Sequence, residues 1–225
     1  MKASILLPTI YPVMARAALP HLENNGLPNF EIIVCSPESF EWPGVVWAPD
    51  DRKGCGPAFR RAALLATGDI ICCISDDVIP VPGWLATALK YLRGGPDDII
   101  GLGTNCPMEC FGLPYVCFPV ATHECVSKHW HYFMPYTAHW NDVAFGVDCS
   151  RCGGHVQETP MQLLNGADRL GCGESALKES AFAEDHLRFL ADFKDLAVGY
   201  DLPNWRSYNK PTGKPVCEPG ITGMY

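Results

Sequence analysis

The chain has 225 residues, enough for one substantial hydrophobic core, and its 48% hydrophobic and 19% charged content is that of a folded globular protein. A net charge of −8 with scattered Lys and Arg argues against a nucleic-acid partner, and no apolar run approaches the roughly 20 residues of a membrane span. Without a basic-then-apolar leader, a cytoplasmic protein is expected, whose twelve cysteines are reduced rather than disulfide-bonded.

Ser4 to Leu7 reads as a buried strand ending at Pro8-Thr9, and Pro12 to Leu22 as a helix with Val13, Ala17, Ala18 and Leu22 facing inward. Glu31–Cys35 is a second buried strand and Val45–Trp47 a third. Gly56 to Thr67 is a helix that buries Phe59, Ala62, Ala63 and Ala66. The apolar run Ile70–Ile74 predicts a strand buried on both faces, with Asp76 and Asp77 at its C-terminal end. Pro80, Pro82 and Gly83 stop it, and a helix with Trp84, Leu85, Ala88, Leu89 and Leu92 inward follows. Strands alternating with helices predict an α/β architecture with a mostly parallel sheet, and the acid pair falls where such sheets bind ligands, which suits a metal or a phosphate. Arg52-Lys53 and Arg60-Arg61 are local basic patches that suit a diphosphate.

After a strand at Ile99–Leu102, residues 103 to 140 are rich in Cys, Pro and aromatics, with His123, His129, His131 and His139. A packed aromatic loop is the expected structure, with metal or sugar binding by the histidines and rings as the alternative. Asn141 to Gly154 has the form of a helix, with Val143, Phe145, Val147 and Cys152 as its apolar positions and two glycines as its stop. Cys149-Ser-Arg-Cys152 has the spacing of a zinc half-site. Because no other C-x-x-C is present, free thiols are the expected state and a structural zinc the alternative. Glu174 to Ala197 is an amphipathic helix carrying Glu184-Asp185, and a Pro- and Gly-rich tail runs from Gly199.

The string GCGPAFRRAALLATGDIICCISDDVIPVPGWL resembles the acidic metal-binding region of family 2 glycosyltransferases, in which a helix ending in Ala-x-Gly-Asp leads to a buried strand, an acidic triplet, then Pro and Trp-Leu. The opening ASILLPTIYP is similar to the family's first strand and nucleotide-holding loop. Asn141-Asp142, followed by a helix, a glycine stop and a strand, resembles the family's catalytic acidic dipeptide. The resemblance implies a GT-A fold over one domain, with a nucleotide-sugar-binding half at 1–102, an acceptor and catalytic half at 103–198, and a tail at 199–225. It implies metal-dependent transfer of a sugar, with inversion, from a nucleoside-diphosphate sugar to a glycan or other hydroxyl acceptor.

Carried onto this sequence, the resemblance makes Asp77 the ligand of Mn²⁺ or Mg²⁺, Asp76 its neighbour near the donor ribose, and Asp142 the general base. Pro8, Thr9, Ser36, Glu38, Asp51 and Gly54 fall at donor-binding positions. Asn165 stands nearest the place of the family's metal-binding His, with His155 a less well-placed substitute. This chain departs from the pattern at Ser75, at Ser36 and at Asn165, so a catalytically silent nucleotide-binding relative is one alternative. A nucleotidyltransferase is the other, although Thr9-Ile-Tyr-Pro12 offers no basic residue for a triphosphate.

Overall fold

The central strands are apolar at successive positions, so that both faces of the sheet need a cover, and the computed structural model supplies one on each side. Residues 1–104, 116–129, 141–165 and 179–193 are described. In chain order they form β1 (Ala3–Pro8), α1 (Pro12–Glu23), β2 (Phe30–Ser36), β3 (Val45–Pro49), α2 (Cys55–Leu64), β4 (Ile70–Cys73), β5 (Val78–Pro80) and α3 (Trp84–Ala88). Then come β6 (Ile99–Thr104), β7 (Pro119–Thr122), α4 (His123–His129), α5 (Asn141–Arg151), β8 (Val156–Asn165) and α6 (Glu179–Asp192).

The described strands make one sheet in the order β3-β2-β1-β4-β7-β6-β8-β5. The half β3-β2-β1-β4 is parallel throughout, so the C-terminal ends of these four strands open on one edge. β7 turns antiparallel between β4 and β6, and β8 runs parallel to β6. Ile5 and Leu7 of β1 and Cys72 and Ile74 at β4 pack with Ala15, Leu19 and Leu22 of α1 and with Trp84 and Leu85 of α3. Leu6, Ile71 and Cys73 point the other way, onto Ala58, Phe59 and Ala62 of α2 and onto α4 and α5. This period of two is why β1, β2 and β4 read as unbroken apolar runs.

Several expectations need correction. The inner stripe of α1 is Met14, Ala15, Ala18, Leu19 and Leu22, while Val13 is 79% exposed and Ala17 faces solvent. The carboxylate segment does not lead straight into a helix. It leads into β5, which pairs antiparallel with the end of β8, and Pro80 is tolerated there because β5 is the sheet's edge. The stretch expected to be a loop contains β7 and α4. In α5 the buried sulfur is Cys149, whereas Cys152 is exposed. Phe189 in the last helix and Phe193 just past it are buried, as one side of an amphipathic helix should be, and Asp185 is buried too, at 2% exposed.

Five Cα steps separate Cys73 from Val78, a reach of roughly 18 Å at full extension. Four strand spacings lie between β4 and β5 in the sheet order, roughly 19 Å if the sheet were flat. The sheet therefore curls, and the β6–β8 ladder has the register shifts, between Gly101 and Thr104, that allow it.

Candidate active site

The parallel half of the sheet brings the ends of β1, β2, β3 and β4 to one edge, and most of the expected donor-side residues lie along it. Pro8 ends β1, and Thr9 follows with its N–H donating to the Cys35 carbonyl at 2.9 Å. The Thr9 hydroxyl accepts the Tyr11 N–H at 2.9 Å and makes a short hydrogen bond to Asp76 Oδ2. Adjacent strands are thus joined through their loops. Burial raises the Asp76 carboxyl, the Thr9 hydroxyl opposes that rise and the charge of Asp77 adds to it, so that it stands at about 6.

Asp77 is half-buried, and its Oδ1 is buried with no hydrogen-bond partner among the described residues. A buried carboxylate oxygen without a donor is costly unless a cation meets it. This orphaned oxygen fits the hard, oxygen-preferring divalent ion expected here. Asn165 ends β8, and its backbone is paired with Val78, one residue from Asp77. His155 lies just before the opposite end of β8, roughly 30 Å away along a ten-residue strand, so it cannot join Asp77 in one site.

At the end of β2, Ser36 is fully buried and its hydroxyl donates to the Glu38 carbonyl at 2.7 Å. The serine therefore shapes the turn, and Glu38 is exposed beyond it. After β3 two successive Asx turns form, with the Arg52 N–H on Asp50 Oδ1 at 3.1 Å and the Lys53 N–H on Asp51 Oδ1 at 3.3 Å. Of this acid pair it is Asp50 whose side chain is buried, 3.5 Å from Arg61, while Asp51 is held at the surface by Lys53 and Arg61. Gly54 opens α2 with φ 114°, a left-handed value that favours glycine.

Asp142 lies in the first turn of α5, half-buried, with its Oδ1 accepting the Val143 N–H at 2.9 Å. Burial outweighs this hydrogen bond and pushes its carboxyl up to about 6. Cys55 is a residue that sequence reasoning missed. Its thiol is pushed up to about 12 by burial and then by the charges of Asp142, Asp76, Asp77 and Asp50, so these carboxylates surround it within electrostatic reach. The signal was present in the Gly54-Cys-Gly56 string, but only the fold sets Cys55 within electrostatic reach of Asp142.

Two carboxyls raised to about 6, Asp76 and Asp142, and the orphaned Asp77 oxygen suit proton transfer and cation binding. Residues 40–132 match the model of Glycosyl transferase family 2. No curated protein matches the chain. Among solved structures, the mannosyltransferase PcManGT from Pyrobaculum calidifontis, in complex with GDP-Man and Mn²⁺, superposes with a TM-score of 0.60 at 14% identity, over 89% of this chain and 76% of that one. S. aureus TarS 1-349 gives 0.54 at 13% identity over 92% and 77%. The same protein in complex with UDP gives 0.56 at 14% over 93% and 75%. The fold is GT-A, and the match to the glycosyltransferase family model lies within it over residues 40–132.

Proposed function

We propose that the protein is a metal-dependent, inverting glycosyltransferase that moves a sugar from a nucleoside-diphosphate donor to a hydroxyl acceptor. The observation that carries this reading is the orphaned Asp77 oxygen beside Asp76 at the end of β4. The nucleotides named with two of the similar structures, GDP-Man and UDP, support a donor of this class. Residues 1–102 form its donor half, and those from 103 to 198 its acceptor and catalytic half, within one domain.

Asp77 holds the divalent cation, Mn²⁺ or Mg²⁺, with Asn165 beside it. When bound, that ion supplies positive charge to the departing diphosphate. Asp76, fixed by Thr9, faces the donor ribose. Asp142 accepts the proton of the acceptor hydroxyl as its oxygen bonds to the anomeric carbon and the carbon–oxygen bond to the diphosphate breaks. Attack from the face opposite the leaving group inverts that carbon. A carboxyl near 6 is mostly ionised at neutral pH and still basic enough for this role.

Thermal shift with UDP and GDP, each with and without Mn²⁺, tests the reading. The metal is expected to add to the stabilisation by the preferred nucleotide, because binding to the native state raises stability by mass action. In the Asp77→Ala protein that increment disappears. Full metal-dependent stabilisation in Asp77→Ala would remove the central assignment.

A further inference from the structure

On the α2 face of the sheet, away from the carboxylate edge, sulfur and imidazole groups from two helices converge. Cys125 and His129 belong to α4, Cys149 to α5, and all three are buried. Their ligand atoms lie within 4.8 Å of one another. The Cys125 and Cys149 sulfurs are 3.8 Å apart. Two sulfurs bound tetrahedrally to one zinc at about 2.3 Å stand 2.3 × 1.63, or about 3.8 Å, apart. Cys152, three residues past Cys149, lies with Asp97 and His129 in a second such group. The two groups share His129, which sets Cys152 at the margin of the first.

We propose that Cys125, His129, Cys149 and Cys152 form a structural zinc site, separate from the carboxylate site. The lone C-x-x-C half-site finds its complement in the C-x-x-x-H of α4, which was unreadable while that stretch counted as a loop. Asp97 supplies the outer support such a site needs, with its Oδ1 2.6 Å from His129 Nε2, where it orients the ring. Asp148, at the other ring nitrogen, is partly exposed and swings to solvent when the metal takes its place. On loading, three thiols release three protons and the cluster carries one negative charge, beside Lys128.

The site ties α4 to the C-terminal turn of α5. That helix carries Asp142 in its first turn, about 10 Å from Cys149 along its axis. The role is positional, because the metal stands away from the reacting groups.

The test uses the full chain, purified without a polyhistidine tag under reducing conditions, and measures zinc by elemental analysis. Roughly one zinc per chain is expected, with X-ray absorption giving three sulfurs near 2.3 Å and one nitrogen near 2.0 Å. Cobalt substituted into the wild-type chain is expected to give a thiolate charge-transfer band, which needs no variant to fold. Cys125→Ser/Cys149→Ser loses the zinc, and Cys35→Ser, a buried thiol elsewhere, keeps it. The proposal is overturned by only trace zinc both as purified and after adding Zn²⁺, by a Cys125–Cys149 disulfide in its place, or by zinc retained undiminished in the double variant.

Discussion

The hydroxyl of Thr9, one residue past β1, is hydrogen-bonded to the carboxylate of Asp76, three residues past β4. Two loops that leave neighbouring parallel strands are thereby held at a fixed spacing. Thr9→Val removes the only side-chain donor in contact with Asp76 among the described residues. We expect a loss of about 1–2 kcal/mol of stability, in the range for a hydrogen bond to a charged group, with Thr9→Ser retaining most of it. Denaturant unfolding decides, and a Thr9→Val midpoint equal to wild type would mean that the bond does not hold the loops.

Asp142→Asn is expected to leave nucleotide and metal binding nearly intact and to lower transfer by roughly 10²–10⁴-fold. Because burial raises its carboxyl to about 6, the ionised form costs stability, and that cost grows as pH rises from about 4 through 6. Asn removes the cost, so the variant should be more stable than wild type at pH 7, by about 1–2 kcal/mol. In the wild-type enzyme transfer rises with pH through about 6 and then levels. Asp185, buried in α6, is the rival base. Should Asp185→Asn be inactive but folded while Asp142→Asn transfers normally, the base moves to α6.

Glu31 links three segments at the other edge of the sheet. Burial alone would raise its carboxyl, but Lys2, Ser4 and Thr67 hold it down to about 2. A depressed carboxyl stabilises the fold when ionised. Its contribution is complete above about pH 4.5 and is lost as pH falls toward 2. Glu31→Gln should therefore cost about 2–3 kcal/mol at pH 6 and progressively less in acid. Equal penalties at pH 6 and pH 2.5 in denaturant titrations would rule this linkage out.

A Cβ added to Gly154 would fall 1.9 Å from the Asp97 carbonyl oxygen. No rotamer relieves a clash with backbone, so Gly154→Ala should cost several kcal/mol, beyond the range of surface substitutions. Gly153, at φ +82° with open space around it, answers a different need, the left-handed turn that ends α5. A Gly154→Ala melting temperature within a degree or two of wild type would contradict the packing.

The strands at the centre of the sheet were legible because burial on both faces writes an uninterrupted apolar run, as in Ile70–Cys73. The acid pair was legible because it follows such a run. Elements at the margin were not. β5 is three residues long with a proline in it, and β7 has four residues amid cysteines and aromatics, so neither has room for a period. The α1 stripe was read one residue out of phase at Val13. Cys55 and the cysteine–histidine cluster are invisible in one dimension, since each joins residues from helices far apart in sequence. Cys106, Cys110, His131 and His139 lie outside the described residues, as do residues 199–225.

The stretch from Cys73 to Val78 joins strands four places apart in the sheet with five Cα steps, and its turn at Asp76-Asp77 keeps it short of full extension. The curl of the sheet, not a stretched chain, brings β5 within its reach. A residue inserted between Asp76 and Val78 would shift the carboxylates relative to β4, whereas an insertion near Glu38 would lengthen an exposed turn.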